Sequence, residues 1–223
     1  MGEMDEKLKR LRVDAALMIV LIAPYFLNDI VYASQPSAGL WLAIDYLTKV
    51  FALGVIFMVP RFRCYVGQSL RDLELPSQGS FFQFLVVSLL AAIGFILMTF
   101  VYHLVYRPLL IVIPDTHLFS YPEIMFKPLY WFDLSFGLAL TAVAEEFTSR
   151  SVLKGVIERY TENKFVIIGL SSLIFALAHW SHGVPNVIAA FFDGVILMGL
   201  LMLTGSIMPS VLAHYVFNFI VFS

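Results

Sequence analysis

An all-α membrane protein crossing the bilayer about seven times, with eight as the alternative count, is the fold class that this 223-residue sequence predicts. Composition is the first reason: 60% of residues are apolar, 13% are charged and mean hydropathy is +0.87. A soluble domain carries about 25% charged residues. The second reason is that the apolar runs are continuous and approach the ~20 residues a spanning helix needs. They do not alternate with the period of two that a barrel strand requires. The third reason is the placement of Lys and Arg. They gather before the first run, between the second and third, and between the fourth and fifth (Lys154, Arg159, Lys164), while other connections carry only Arg107 and Lys127. That alternation follows the positive-inside rule and puts the N-terminus in the cytoplasm.

Taken in order, the first span covers about 13–33, behind Lys7, Lys9, Arg10 and Arg12. Its apolar stretch Val13 to Leu27 is followed by Asn28-Asp29 and only a loose small-residue site at Ala33-Ser34-Gln35, so it reads as an uncleaved span and not as a signal peptide. Pro24 and Asn28-Asp29 predict a kinked or unwound outer end. The second span, about 38–60, holds Asp45 and Lys49 at i,i+4, a pair that neutralises itself. Residues 61–80, with Arg61, Arg63, Arg71, Asp72 and Glu74, read as a polar loop. The third span, about 81–106, leads through Arg107-Pro108 into a short apolar piece at 109–113, and Pro114, Pro122 and Pro128 punctuate an irregular loop at 114–128. A fourth span starts near Leu129; the fifth, sixth and seventh cover about 165–182, 184–203 and 207–222. Gly183-Val184-Pro185 and Thr204-Gly205-Ser206 supply turns. With no internal repeat, residues 1–223 are expected to form a single membrane domain. Cys64 is the only cysteine, which excludes an internal disulfide and reads as structural filler. No basic patch with interleaved aromatics suggests a nucleic-acid partner.

The fourth span carries the costliest feature, Glu145-Glu146 at the end of an apolar run. A carboxylate in a bilayer costs about 2.5–3.5 kcal/mol, and two neighbours repel each other. Glu146 and Arg150 are four apart in the favourable order, and Lys154 and Glu158 extend the face as a charged stripe expected to line protein or water. Glu145 lies about 100° around the helix, which leaves it available for chemistry. A structural charge network at a helix end is the other reading of these four residues. The fifth span contains Phe175-x-x-x-His179, and the seventh contains His214-x-x-x-Asn218 on one face. If spans four and five turn near Thr161 to Lys164, Glu146 and His179 lie at similar depth, roughly 25 Å of helix from the turn. His182 reads as a turn residue, and His103 and His117 are given no role.

Glu145-Glu146-x-x-x-Arg150, Phe175-x-x-x-His179 and His214-x-x-x-Asn218, in this order, resemble the signature of the CAAX-protease and bacteriocin-processing (CPBP, or Abi) family of intramembrane proteases, the type II CAAX prenyl endopeptidase group. The resemblance covers about 129–222, the last four spans, as a catalytic four-helix core. It implies that Glu145 with His179 activates water, that Glu146 is a companion acid held by Arg150, and that His214 and Asn218 stabilise the oxyanion. A low-dielectric cavity suits a carboxylate base, and fixed donors at an oxyanion are worth about 2.7–4 kcal/mol in other hydrolases. No cofactor is favoured. The zinc-dependent alternative uses Glu145, His179 and His214, a two-histidine, one-carboxylate inventory. Against it stand the lack of a helical His-x-x-x-His and the presence of Asn218 on the face of His214.

The expected activity is an endopeptidase cutting a membrane-associated peptide or protein C-terminus, with the bilayer as its other partner. A short chain without a targeting extension or soluble domain favours the bacterial inner membrane. A non-catalytic immunity or scaffold protein is the alternative from another class; a small transporter explains the acids but not the three motifs.

Overall fold

The computed structural model describes residues 2–34, 37–70, 80–113 and 122–223. Arg71, Asp72, Glu74, Pro114 and His117, named above, lie outside them, as does Gln35. Within the described residues every regular element is helical, and the protein is all-α and polytopic.

Helix α1, Gly2–Ala33, starts eleven residues before the expected span and runs unbroken through Pro24 and Asn28-Asp29, so the expected kink or unwinding is absent. Proline is tolerated inside membrane helices because neighbours satisfy the freed carbonyl. Helix α2, Ala38–Met58, is capped by the Ser37 hydroxyl, which accepts from the Leu40 amide. It ends where Pro60 forces Val59 into extended backbone, φ −85° and ψ 110°. The expected loop at 61–80 is corrected in its first half: Pro60 opens helix α3, Pro60–Ser69, which buries Phe62, Val66 and Ser69 and exposes the arginines Arg61 and Arg63. The spacing of those buried residues is one helical face, a signal that the local charge obscured.

Helix α4 spans Phe81–Val112 without the expected break at Arg107-Pro108. A π-helical turn, Tyr102–Tyr106, lies just ahead of Pro108 and relieves the clash its ring would make with the carbonyl four residues back. Helix α5 is a continuous helical run over 127–157 with two π-helical turns, Asp133–Gly137 and Phe147–Leu153. Helix α6, Lys164–Leu177, is capped by Asn163, whose side chain accepts from the Phe165 and Val166 amides. A 3-10 turn, Trp180–His182, and Gly183 at φ 86° lead into helix α7, Val184–Thr204. Gly205 at φ 70° ends α7 by donating its amide to the Leu201 carbonyl, and helix α8 follows at Met208–Phe222. Only a residue free of Cβ strain takes these positive φ values readily.

Among the described residues, four segments can cross a bilayer by length and apolarity alone: Leu8–Val31, Ala38–Met58, Phe81–Val112 and Val184–Thr204. Helices α6 and α8 are apolar but shorter. Large apolar side chains such as Ile19, Leu89, Phe165 and Leu203 face outward, as lipid contact requires. Inside, α7 packs closely on α6, where Gly194 sits against Ser172, and Gly94 of α4 sits against Leu200 and Ala213 of α7 and α8. Small residues at such crossings let backbones approach.

One end of the bundle is a packed apolar core of Leu21, Ile56, Phe62, Val66, Val152 and Ile207. It is tied by buried polar contacts. Asp14 of α1 pairs with Arg61 of α3 and Arg159 beyond α5, and accepts from the Tyr160 hydroxyl at 2.7 Å. Ser69 and Ser151 share a 2.6 Å hydrogen bond, and the Ile207 amide donates to the Ser69 carbonyl at 2.8 Å. Away from that core, the helices part around an internal cavity.

Candidate active site

Glu145 and Glu146 are the last two residues of the α-helical stretch Leu138–Glu146, immediately before the π-helical turn Phe147–Leu153. Glu146 and Arg150 are completely buried, and the Arg150 Nε lies 3.2 Å from the Glu146 Oε2. The guanidinium carbon also stands 4.1 Å over the centre of the Phe175 ring. Phe175 therefore faces a cation, and a buried charge gains from both contacts.

His214 of α8 joins the two acids. Its Nδ1 is 2.9 Å from the Glu146 Oε1, and its Nε2 is 3.8 Å from the Glu145 Oε2. A carboxylate at Glu146 makes Nδ1 the donor and leaves Nε2 directed toward Glu145. The expected division of labour gave Glu146 to Arg150 alone; the structure adds His214 as a second partner. Phe175 packs edge-on against the His214 ring, centroids 6.1 Å apart, and against the His179 ring at 4.7 Å. One aromatic ring thus spaces the arginine and both imidazoles.

His179 does not sit deep within a helix, as its apolar surroundings suggested. Helix α6 has already ended, and His179 precedes the 3-10 turn at φ −98°, ψ 21°. Its Nδ1 lies 2.9 Å from the Phe175 carbonyl oxygen, the donor arrangement that leaves Nε2 as an acceptor in the neutral ring. The turn is held from α1, where Asp29 accepts from the Ser181 hydroxyl at 2.6 Å.

Glu145, His179, His214 and Asn218 all line one cavity of about 1280 Å³. No hydrogen bond or ion pair joins Glu145 to His179 directly among the described residues, and the Glu145 Oε2 is buried without a hydrogen-bond partner. Glu146 and Arg150 are not lining residues and stand behind the wall. The charged stripe from Glu146 to Glu158, expected to line protein or water, does not line the cavity. The π-helical turn changes the register after Glu146, so Glu145, Thr148 and Ser149 face the cavity, while Lys154 pairs with Glu158 at 2.7 Å on a partly exposed flank.

Sequence reasoning missed several lining residues. Helix α1 contributes Tyr25, whose hydroxyl is 3.2 Å from that of Thr148, together with Asn28 and Asp29. Asp45, paired with Lys49 as the spacing expects, also receives the Asn28 amide at 3.2 Å. Asp133 accepts from the Tyr46 hydroxyl at 2.7 Å. Asp193 of α7 lines the cavity as well, and a lone acid in an apolar run was the signal that could have found it. His182, read as a turn residue, lies in the 3-10 turn and faces the same space. Among the described residues no group of three or more His, Cys, Asp and Glu is placed to hold a metal ion.

Fold and site together define a polytopic membrane protein with paired acids and two imidazoles held at an internal cavity. Residues 127–220 match the family model of the Rce1-like type II CAAX prenyl endopeptidases, so this part of the chain, α5 to α8, is similar to that family. The similarity points to a protease acting on a membrane-associated peptide. Neither a curated protein nor a solved structure matches the chain.

Proposed function

We propose that the protein is an intramembrane endopeptidase of the glutamate type, in which Glu145 and His179 activate water without a metal. The observation that carries this reading is Glu145, which lines the same cavity as His179 and whose Oε2 is buried without a hydrogen-bond partner. In this reading the cavity admits a water molecule and a peptide carbonyl. Glu145 takes a proton from the water as its oxygen adds to the carbonyl carbon. The developing oxyanion is held by an Nε2–H of His214 and the Asn218 side-chain amide, and the C–N bond then breaks as the proton passes to the leaving amine. Glu146 and Arg150 position His214 from behind. The neutral His179, with Nδ1–H engaged by the Phe175 carbonyl, offers Nε2 as an acceptor for the same water.

The substrate is a peptide or protein C-terminus with a membrane-associated segment. The cytoplasmic N-terminus and a bacterial inner-membrane location are parts of the same proposal. Arg61 and Arg159, from two different basic segments, meet α1 at Asp14 on one end of the bundle, which fits the alternation of charge along the chain.

The test is purified wild type against Glu145→Gln on candidate membrane peptides, with and without a chelator. Cleavage by wild type, unaffected by exhaustive chelation and lost in the folded Gln variant, is the expected result. Loss of wild-type cleavage on chelation, restored by zinc, overturns the metal-free mechanism. Retention of the cellular phenotype by Glu145→Gln identifies a binding or immunity protein instead.

A further inference from the structure

Asp193 lies outside all three motifs and has no part in the chemistry above. It projects from α7 into the same cavity as Glu145. The residue is partly buried, and its Oδ1 is buried with no hydrogen-bond partner among the described residues. Nothing in the packing of α7 calls for an acid there, since the neighbouring residues Ala189, Ala190, Gly194 and Leu197 are small or apolar.

The surrounding charges do not balance. Asp193 is close enough to His214 and Arg150 to interact with their charges. Arg150 lies against Glu146 and Phe175, and His214 against Glu146 and Glu145, and the Asp193 Oδ1 is hydrogen-bonded to neither. Glu145, Glu146 and Asp193 therefore share Arg150 and the imidazole of His214. The cavity as a whole repeats the excess, with six carboxylate residues lining it against two lysines, Lys49 and Lys127. Three of those acids are occupied: Asp45 by Lys49 and Asn28, Asp133 by Tyr46, and Asp29 by Ser181. Glu123 is exposed. Apart from Glu145, assigned above to the water, Asp193 is the acid whose buried oxygen awaits a partner. An unpaired buried carboxylate is costly, and a cationic ligand group placed against it recovers that cost.

We infer that Asp193 forms a specificity subsite for a cationic group of the substrate peptide, a lysine or arginine side chain close to the scissile bond. The inference rests on the endopeptidase reading. A guanidinium or ammonium entering the cavity meets Asp193 beside the Glu145–His214 pair, so the basic residue lies within a few positions of the bond that is cut. The excess of negative charge along the lining draws the same segment inward. Acidic segments are disfavoured by the same field.

The experiment scans synthetic peptides anchored by an N-terminal palmitoyl chain in detergent micelles. Each carries one Arg, Lys, Gln or Glu at successive positions, and cleavage is followed by mass spectrometry. At one position near the cut, wild type is expected to prefer Arg or Lys over Gln by about tenfold or more in kcat/KM. Asp193→Asn is expected to lose that ratio, and Asp193→Lys to favour Glu. A wild type without basic preference, or a preference unchanged in Asp193→Asn, overturns the subsite. A second arm needs no turnover: n-butylguanidinium is added to the Glu145→Gln protein and to Glu145→Gln/Asp193→Asn, and melting is measured. A stabilising shift confined to the protein with Asp193 supports the subsite; equal shifts or none in both overturn it. Loss of cleavage in Glu145→Gln is scored separately, so failure of the subsite and failure of the proposed chemistry are distinguished.

Discussion

Replacing Arg150 by methionine removes a fully buried cation while keeping most of its volume. The Glu146 carboxylate then stays buried with only the His214 Nδ1 at 2.9 Å as partner. At an effective dielectric of about 20, two charges 3.2 Å apart attract by about 5 kcal/mol. Breaking one side of a buried pair has measured costs of about 3–5 kcal/mol. The guanidinium also leaves the face of Phe175, a contact worth about 0.5–2 kcal/mol. Because His214 still neutralises part of Glu146, the lower half of the range applies, and a loss of about 3–4 kcal/mol is expected. That is more than a hundredfold in the folded-to-unfolded ratio. Denaturant unfolding in detergent micelles, followed by near-ultraviolet circular dichroism, measures it. The double variant Glu146→Gln/Arg150→Met should recover more than half of the loss, because both charges are then gone. A single variant within about 1 kcal/mol of wild type, or a double variant no better than the single, refutes the account of Arg150 as the compensating charge.

Asp14→Asn should free Arg61, Arg159 and Tyr160 from one buried carboxylate, at a cost of about 1.5–3 kcal/mol. Amide exchange in α3 and around residues 158–160 should accelerate, and unchanged exchange there would count against the tie. Gly194→Ala should destabilise by about 1–3 kcal/mol, because the new Cβ would stand 2.9 Å from the Ser172 Cβ and 3.1 Å from its Cα. Gly199→Ala meets nothing within 4 Å and serves as the control, gaining about 1 kcal/mol from helix propensity. Equal responses of the two glycines would show that the α6–α7 crossing is not close-packed.

What the sequence could and could not say follows from how far each interaction reaches. Asp45 with Lys49, Glu146 with Arg150 and Lys154 with Glu158 are one helical turn apart, so spacing alone brings each pair together, and all three pairs form. Gly183 and Gly205 mark turns through backbone freedom that no other residue shares. Helix α3 was hidden because its charge outweighed the Phe62, Val66, Ser69 face. The π-helical turns were hidden for a different reason: a periodicity argument assumes a constant 3.6 residues per turn and loses its register wherever one residue is added. Glu145, Thr148 and Ser149 line the cavity, and Glu146, Arg150, Lys154 and Glu158 do not. The placement of His214 between two glutamates, and of Asp29 under Ser181, depends on which helices pack together, and no single-segment pattern contains that information.

Helix α1 and helix α2 lie upstream of the family-matched stretch, yet Tyr25, Asn28, Asp29, Trp41 and Asp45 line the same cavity as Glu145. The chamber is therefore jointly inherited. Part of its lining comes from a stretch that a family pattern can recognise, and part comes from helices that such a pattern does not describe. Two proteins could share every motif residue and still admit different peptides, simply by exchanging the first two helices. Grafting α1 and α2 between such proteins would move selectivity without touching an acid, an imidazole or the asparagine of the motifs.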